Sequence, residues 1–118
     1  MKRLIVIDDD LPIQEVIELI FDPTEYKITF YSDGHAVLNN AFEHPDLFIL
    51  DKQLSGADGL DICRFLKDQE STRHIPVVLL SAAPNIYRLA KEAGAEDALA
   101  KPFNIHELRE KVANLIAG

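Results

Sequence analysis

Six polar side chains share one property: each lies within three residues of the end of a short apolar run. They are Asp8, Asp9, Asp10, Asp51, Ser81 and Lys101. Carboxylates held close together repel one another, so either some stay protonated with raised pKa values or a cation neutralises them. Oxygen ligands favour a hard divalent ion such as Mg²⁺ (or Mn²⁺), usually held by one or two carboxylates with water and phosphate oxygens. A lysine and a hydroxyl would contact phosphoryl oxygens, so the set predicts phosphoryl transfer to an aspartate, by positioning and electrostatics.

The apolar runs that precede these residues have the pattern of β-strands. They are Leu4–Ile7, Ile28–Tyr31, Leu47–Leu50, Val77–Leu80 and the weaker Ala98–Ala100. Three are continuously apolar, which is typical of central strands covered on both faces in a parallel sheet. The second run alternates Ile28 and Phe30 with Thr29 and Tyr31, which favours an edge strand.

Helical patterns fill the intervals between the runs. Five apolar stripes recur at helical spacing. They are Ile13/Val16/Ile17/Ile20, Val37/Ala41 with Leu38/Phe42, Leu60/Cys63/Leu66, Ile86/Leu89/Ala90/Ala93, and Ile105/Leu108/Val112/Leu115/Ile116. Pro84 suits the start of the fourth helix and Gly94 its end. Asn104, with Glu107 three residues later, suits an N-cap.

Strand and helix therefore alternate five times, which predicts an α/β fold. The expected architecture is a doubly wound (βα)₅ parallel five-stranded sheet in the flavodoxin-like order 2-1-3-4-5, with residues 1–118 as a single domain. In such folds ligands bind beyond the carboxyl ends of the strands. Strands one and three would be neighbours, bringing Asp8, Asp9 and Asp51 close together. Asp10 and Asp58 have a simpler interpretation as helix caps.

Composition narrows the function classes. With 20 acidic and 12 basic residues the net charge is −8, which disfavours direct binding of nucleic acid. A single cysteine, Cys63, excludes a disulfide within the chain and favours a reducing compartment. The basic start ahead of Leu4–Ile7 is followed too early by aspartates for a signal peptide, and no stretch approaches the length of a membrane span. We expect a cytoplasmic protein without membrane association.

The segments LIVIDDD, PDLFILDKQLSGADG, PVVLLSA and GAEDALAKPF resemble the defining blocks of response-regulator receiver domains. The resemblance implies a phosphorelay protein of two-component signalling, not a conventional enzyme, with Asp51 as the phosphoacceptor. It implies Mg²⁺ (or Mn²⁺) bound by Asp51, by Asp9 directly, by Asp8 through water, and by the backbone carbonyl of Gln53. It also implies that Ser81 is the switch hydroxyl, that Lys101 contacts the phosphoryl group, and that the Lys101–Pro102 peptide is cis.

Three positions depart from the family pattern. Ser55 replaces a usual proline, Ala98 replaces a usual Tyr or Phe, and Lys52-Gln53 is an unusual polar pair after the acceptor. In the family the aromatic at the position of Ala98 moves inward on activation. Without it, we expect the signal to be relayed through the loop 82–87. Gln53 and Ala83, which flank the acceptor, are expected to tune the lifetime of the phosphoryl group.

The resemblance also implies partners. The donor would be a sensor histidine kinase or a histidine phosphotransfer protein, and the recipient a downstream protein or an output domain beyond the chain. The face of helix four, strand five and helix five is the expected docking surface and a possible dimer interface. Since the sequence stops directly after the fifth helix, a stand-alone regulator and a domain of a longer chain are both open.

Three other functions share part of this pattern. A degenerate receiver that binds partners without phosphorylation is favoured by Ala98 and Ser55 and opposed by the intact acids and lysine. A haloacid-dehalogenase-type phosphatase would place a second aspartate where Gln53 stands. A flavodoxin-like cofactor protein needs a phosphate-binding loop after strand one, where Asp8 to Asp10 would repel a phosphate.

Overall fold

The structure is a computed structural model that describes residues 1–54 and 56–117. The departure at Ser55 lies outside the described residues, as does Gly118. Within the described ranges, no helix is both long and apolar enough to cross a bilayer.

Five parallel strands form the main sheet. They are β1 (Lys2–Ile7), β2 (Tyr26–Tyr31), β3 (Leu47–Asp51), β6 (Val77–Ser81) and β7 (Asp97–Ala100). The order β2-β1-β3-β6-β7 is the predicted 2-1-3-4-5 order once the strands of this sheet alone are counted. A separate antiparallel hairpin, β4 (Gln53–Leu54) with β5 (Ala57–Asp58), lies between β3 and the next helix. β2 is an edge strand, as its alternating pattern predicted.

Helices follow the strands in alternation. They are α1 (Leu11–Ile20), α2 (His35–Leu38), α3 (Gly59–Asp68), α4 (Ile86–Ala93) and α5 (Ile105–Ala117). One core cluster packs α3 and α4 against the sheet, and a second packs α1 and α5 against the opposite face. Because both faces are covered, β3 and β6 are buried throughout, which explains their uninterrupted apolar sequence.

Several details of the predicted helices were wrong. α2 ends at Leu38, because Asn40 adopts a positive φ of 56°, so Ala41 and Phe42 lie beyond the helix. Asn85 is the residue at the N-cap of α4, and Pro84 stands before it. In the apolar stripes, Val16 and Ile105 are exposed at the surface rather than packed in the core.

Other helix ends agree with their predicted signals. Gly94 ends α4 in the left-handed conformation, where its amide donates to the carbonyls of Ala90 and Lys91. The Asn104 side chain accepts a hydrogen bond from the His106 amide at the start of α5.

Candidate functional site

The register of the sheet brings the two acidic strand ends together. Ile7 pairs with Leu50 across β1 and β3, so the residues that follow, Asp8 and Asp51, come next to each other. One carboxylate oxygen from each of Asp8, Asp9 and Asp51 can be chosen so that all three lie within 4.8 Å of one another. Asp8 and Asp51 are buried, whereas Asp9 is exposed.

Lys101 reaches this cluster from the end of β7. Its Nζ lies 3.0 Å from Asp51 Oδ1 and 3.6 Å from Asp8 Oδ2. The Lys101 amide donates to the carbonyl of Ser81, which ties the ends of β6 and β7 together. The Lys101–Pro102 peptide is cis. The lysine is four-fifths buried, so its charge acts in a medium that screens it less than water does.

The electrostatics of the cluster are those of crowded, desolvated charges. Burial raises the pKa of Asp8, and the charge of Asp51 adds to this effect. Burial also raises the pKa of Asp51, although the hydrogen bond and charge of Lys101 act in the opposite direction. Burial alone would lower the pKa of Lys101, but its hydrogen bond to Asp51 and the two carboxylate charges outweigh it and raise that pKa.

The same end of the sheet forms an open cleft of about 260 Å³. Its lining combines acidic, hydroxyl and basic groups from four strand ends: Asp9, Asp10, Asp51, Gln53, Ser81, Ala82 and Lys101. Ser81 is buried, and its Oγ accepts a hydrogen bond from the Ala83 amide at 2.9 Å. The hydroxyl proton of Ser81 is therefore still available for an oxygen placed in the cleft.

Asp10 and Asp58 take the cap roles that their local sequence predicted. Asp10 is the N-cap of α1 and accepts from the Ile13 amide, while its own amide donates to Asp8 Oδ1. Asp58 is the N-cap of α3 and accepts from the Leu60 amide at 2.8 Å. Asp10 thus adjoins the acidic cluster, where its amide fixes one oxygen of Asp8.

Two residues in the site's framework were missed by the sequence reasoning. The side-chain amide of Gln14 donates to the carbonyl of Asp8, and no pattern in the sequence indicated this contact. At Gly59, an added Cβ would lie 2.1 Å from the carbonyl oxygen of Asp51, so α3 begins against the backbone of β3. The Asp58-Gly59 pair is the available signal, although the sequence alone indicates only the start of a helix there.

The acidic cluster fits a divalent metal ion. Asp8 Oδ2 is buried and accepts no hydrogen bond from the described residues, so its nearest compensation is the lysine at 3.6 Å. A desolvated carboxylate oxygen of this kind is costly unless a cation satisfies it. The donors are oxygens alone, which suits Mg²⁺ or Mn²⁺ rather than a softer metal.

Comparison with known proteins identifies the class. The model of the response regulator receiver domain matches residues 4–113, so the chain belongs to that family. It is a receiver domain of two-component signalling, and receiver domains bind Mg²⁺ at an acidic site.

Individual relatives agree with this assignment. The DNA-binding dual master transcriptional regulator RpaA of Synechocystis is 33% identical over 98% of this chain and 49% of its own length. The chain spans about half the length of the curated relatives it matches. The receiver domain of a signal transduction histidine kinase from Syntrophus aciditrophicus is 30% identical with a TM-score of 0.89, covering 100% of this chain and 92% of that one.

A further solved structure carries the ion itself. The receiver domain of sensor histidine kinase PA1611 from Pseudomonas aeruginosa has a magnesium ion coordinated in its active site cleft. It is 28% identical with a TM-score of 0.86, covering 99% of this chain and 98% of that one.

Proposed function

We propose that Asp51 accepts a phosphoryl group from a phosphohistidine in a Mg²⁺-dependent reaction, and that residues 1–118 act as one receiver domain. The observation that carries this proposal is the approach of Lys101 to within 3.0 Å of Asp51 Oδ1 beside two further carboxylates. Bound Mg²⁺, held by Asp9, Asp51, the Gln53 carbonyl and (through water) Asp8, would neutralise charge on the phosphoryl oxygens.

The transfer needs few groups from the protein. A carboxylate oxygen of Asp51 attacks phosphorus, the P–N bond to the donor imidazole breaks, and the bonding electron pair leaves with the imidazole nitrogen. Lys101 gives up its contact with Asp51 to pair with a phosphoryl oxygen, and the Ser81 hydroxyl donates to another. Water later hydrolyses the acyl phosphate, and Gln53 and Ala83, on either side of the acceptor, tune the rate of that step.

The donor and recipient follow from the family. The donor is a sensor histidine kinase or a histidine phosphotransfer protein, and the recipient is a protein target or an output domain. RpaA, which is described as DNA-binding, is about twice the length of this chain. The face formed by α4, β7 and α5 is the surface proposed for docking and for a dimer, and the proposed setting is cytoplasmic.

The experiment is phosphorylation of the isolated domain with a small phosphodonor. Incubated with acetyl phosphate and Mg²⁺, the wild type gains one phosphoryl group by intact-mass spectrometry, and Asp51→Asn gains none. EDTA prevents the reaction. Glu70→Gln, a change at an exposed acidic residue outside the cleft, is the control and reacts like the wild type.

One observation favours a second candidate function. Ala98 is almost fully buried on β7, beneath a groove of about 270 Å³ lined in part by Tyr87 and Lys91. No aromatic ring at position 98 is available to move into this space, which would suit a domain that binds partners without phosphorylation. A wild type that stays unmodified with acetyl phosphate and with a phosphohistidine donor would support this second candidate and contradict the first.

A further inference from the structure

The chain makes a short hairpin between the acceptor and α3. Among the described residues, two pairs form it, Gln53 with Asp58 and Leu54 with Ala57. A two-stranded hairpin of this size is marginally stable in water by itself. It nevertheless carries Gln53, which lines the cleft. The backbone amide of Gln53 donates a hydrogen bond to the carboxylate of Asp51. The position of Gln53 must therefore be fixed by contacts outside the hairpin ladder.

Lys52 supplies such contacts at the base of the hairpin. Its amide donates to the carbonyl of Leu80 on β6, and its carbonyl accepts from the Gly59 amide at 2.7 Å. Its Nζ lies 3.3 Å from Asp58 Oδ2, at the opposite side of the hairpin base. The Lys52 side chain is 19% exposed and the Asp58 side chain 41%, so the lysine end of the pair is shielded from solvent and the carboxylate end is not.

Asp58 extends this connection into the helix. While Oδ2 faces Lys52, Oδ1 accepts the Leu60 amide in the first turn of α3. One carboxylate therefore joins the hairpin base to a helix whose first residue, Gly59, lies against the Asp51 carbonyl. The ion pair therefore links the residue before Gln53 to the residue that pairs with Gln53 across the hairpin.

We infer that the Lys52–Asp58 ion pair is a positioning device that holds the Gln53 backbone in place for the metal and the acceptor. The inference rests on the proposed function, since it assigns Lys52 and Asp58 to the support of the same Mg²⁺ site. Neither side chain contacts the phosphoryl group or the ion in this assignment.

Simple electrostatics predicts the opposite sign for one variant, which makes the inference testable. Lys52→Met removes a positive charge near an acidic metal site, and by charge alone Mg²⁺ should then bind more tightly. If the ion pair positions Gln53, the same variant binds Mg²⁺ more weakly. At about 0.1 M salt the Debye length is ~10 Å, which reduces the plain charge effect and leaves the positioning effect.

The test compares Lys52→Met with Lys111→Met by calorimetric titration of the intact domain with MgCl₂. Lys111 forms an ion pair of similar exposure with Asp97, with Nζ 3.0 Å from Oδ2, and lies outside the cleft. We expect the Kd for Mg²⁺ to rise about threefold to fivefold in Lys52→Met. In Lys52→Arg, which keeps the positive charge, and in Lys111→Met, the Kd should stay close to the wild-type value. Asp58→Asn, which keeps a cap oxygen, provides a second variant should Lys52→Met fold poorly, and it also weakens binding.

A readout without metal accompanies the titration. Amide hydrogen exchange of Gly59 and Gln53 in EDTA becomes faster in Lys52→Met than in Lys111→Met. An unchanged or lower Kd in Lys52→Met, with unchanged exchange, overturns the inference while leaving the proposed function intact. A wild type that binds no Mg²⁺ contradicts the metal site of the proposed function instead, and the exchange rates then decide the ion pair's role alone.

Discussion

At the residue scale, the geometry around Asp51, the proposed acceptor, depends on Gly59, a position that has no side chain. Any Cβ at Gly59 would lie 2.1 Å from the Asp51 carbonyl oxygen and 2.9 Å from the Lys52 Cα, and both are backbone atoms. Backbone on either side is held by hydrogen bonds, from Lys52 to Leu80 and from Gly59 to Lys52. Relief of the overlap must therefore move the start of α3 or the end of β3, which carries the acceptor.

Replacement of Gly59 by alanine is expected to destabilise the fold by about 2 kcal/mol, in the range of overpacking in a core. It should also slow phosphorylation by acetyl phosphate while leaving the secondary structure largely unchanged. Urea unfolding followed by circular dichroism, together with intact-mass phosphorylation kinetics, measures both effects.

Gly34→Ala is the matched control. The Cβ there would meet Ile62 Cδ1, the end of a side chain that can change rotamer. We expect a loss below about 1 kcal/mol and no effect on phosphorylation. Equal effects of the two variants would show that crowding at the Asp51 carbonyl has no special consequence.

At the element scale, the alternation of strands and helices was predictable because each apolar run is short and followed by a helical pattern, whereas the order of the strands in the sheet came from the usual order of doubly wound folds. The runs at Leu47–Leu50 and Val77–Leu80 became β3 and β6 with a change of one residue at the carboxyl end. In both cases the added residue, Asp51 or Ser81, is a polar member of the site. A run of apolar residues indicates the buried part of a strand, but it does not show whether the polar residue that follows still belongs to the strand.

The framework of the site was less predictable than its acids. Asp8, Asp9, Asp51 and Lys101 lie at strand ends, so the strand order alone brings them together. The hairpin of β4 and β5 has two residues in each strand, which is too short for a periodic pattern. The Lys52–Asp58 pair and the contact of Gln14 with Asp8 depend on the rotamers of long side chains, which residue types alone do not specify.

The connection between Asp51 and α4, along which phosphorylation would be signalled, also belongs to the element scale. Ser81 ends β6, its Oγ holds the Ala83 amide, and Ile86 begins α4 three residues later. Because Ala98 offers no ring to move, we expect the loop 82–87 to change when Ser81 turns toward a phosphoryl oxygen. NMR spectra with and without beryllofluoride, a phosphoryl mimic, should show the largest shift changes outside the cleft in residues 82–89.

Ser81→Ala provides the control, because it binds the mimic without a hydroxyl to move the loop. Its shift changes at residues 82–89 should be much smaller than those of the wild type. Wild-type signals that stay in place through this segment, while those of Asp51 and its neighbours move, would exclude the loop as the relay.

At the scale of the whole molecule, the acidic cluster lowers the stability of the metal-free protein. The pKa values of Asp8 and Asp51 are raised above the ordinary value of 3.8, so the folded state binds more protons than the unfolded chain just above that value. The free energy of unfolding therefore falls as pH rises through the window between the ordinary and the raised pKa values. The protonated carboxyls of Asp8 and Asp51 do not destabilise the fold at low pH, and the destabilisation appears as they ionise.

Asp8→Asn should raise the stability of the metal-free protein and also remove most of the stabilisation that Mg²⁺ provides. Without a buried charge at position 8, the metal-free variant is expected to be about 1 kcal/mol more stable than the wild type near neutral pH, as is common when a functional site is neutralised. Mg²⁺ at about one hundred times its Kd should stabilise the wild type by about 2.7 kcal/mol and the variant by much less. Urea unfolding in EDTA and in MgCl₂ from about pH 3.5 to about pH 8 measures these quantities and the fall of stability with pH, with exposed Glu70→Gln as the control that keeps the wild-type response. A variant that is less stable than the wild type in EDTA, or equally stabilised by Mg²⁺, would contradict the assignment of Asp8 as a strained carboxylate relieved by a cation.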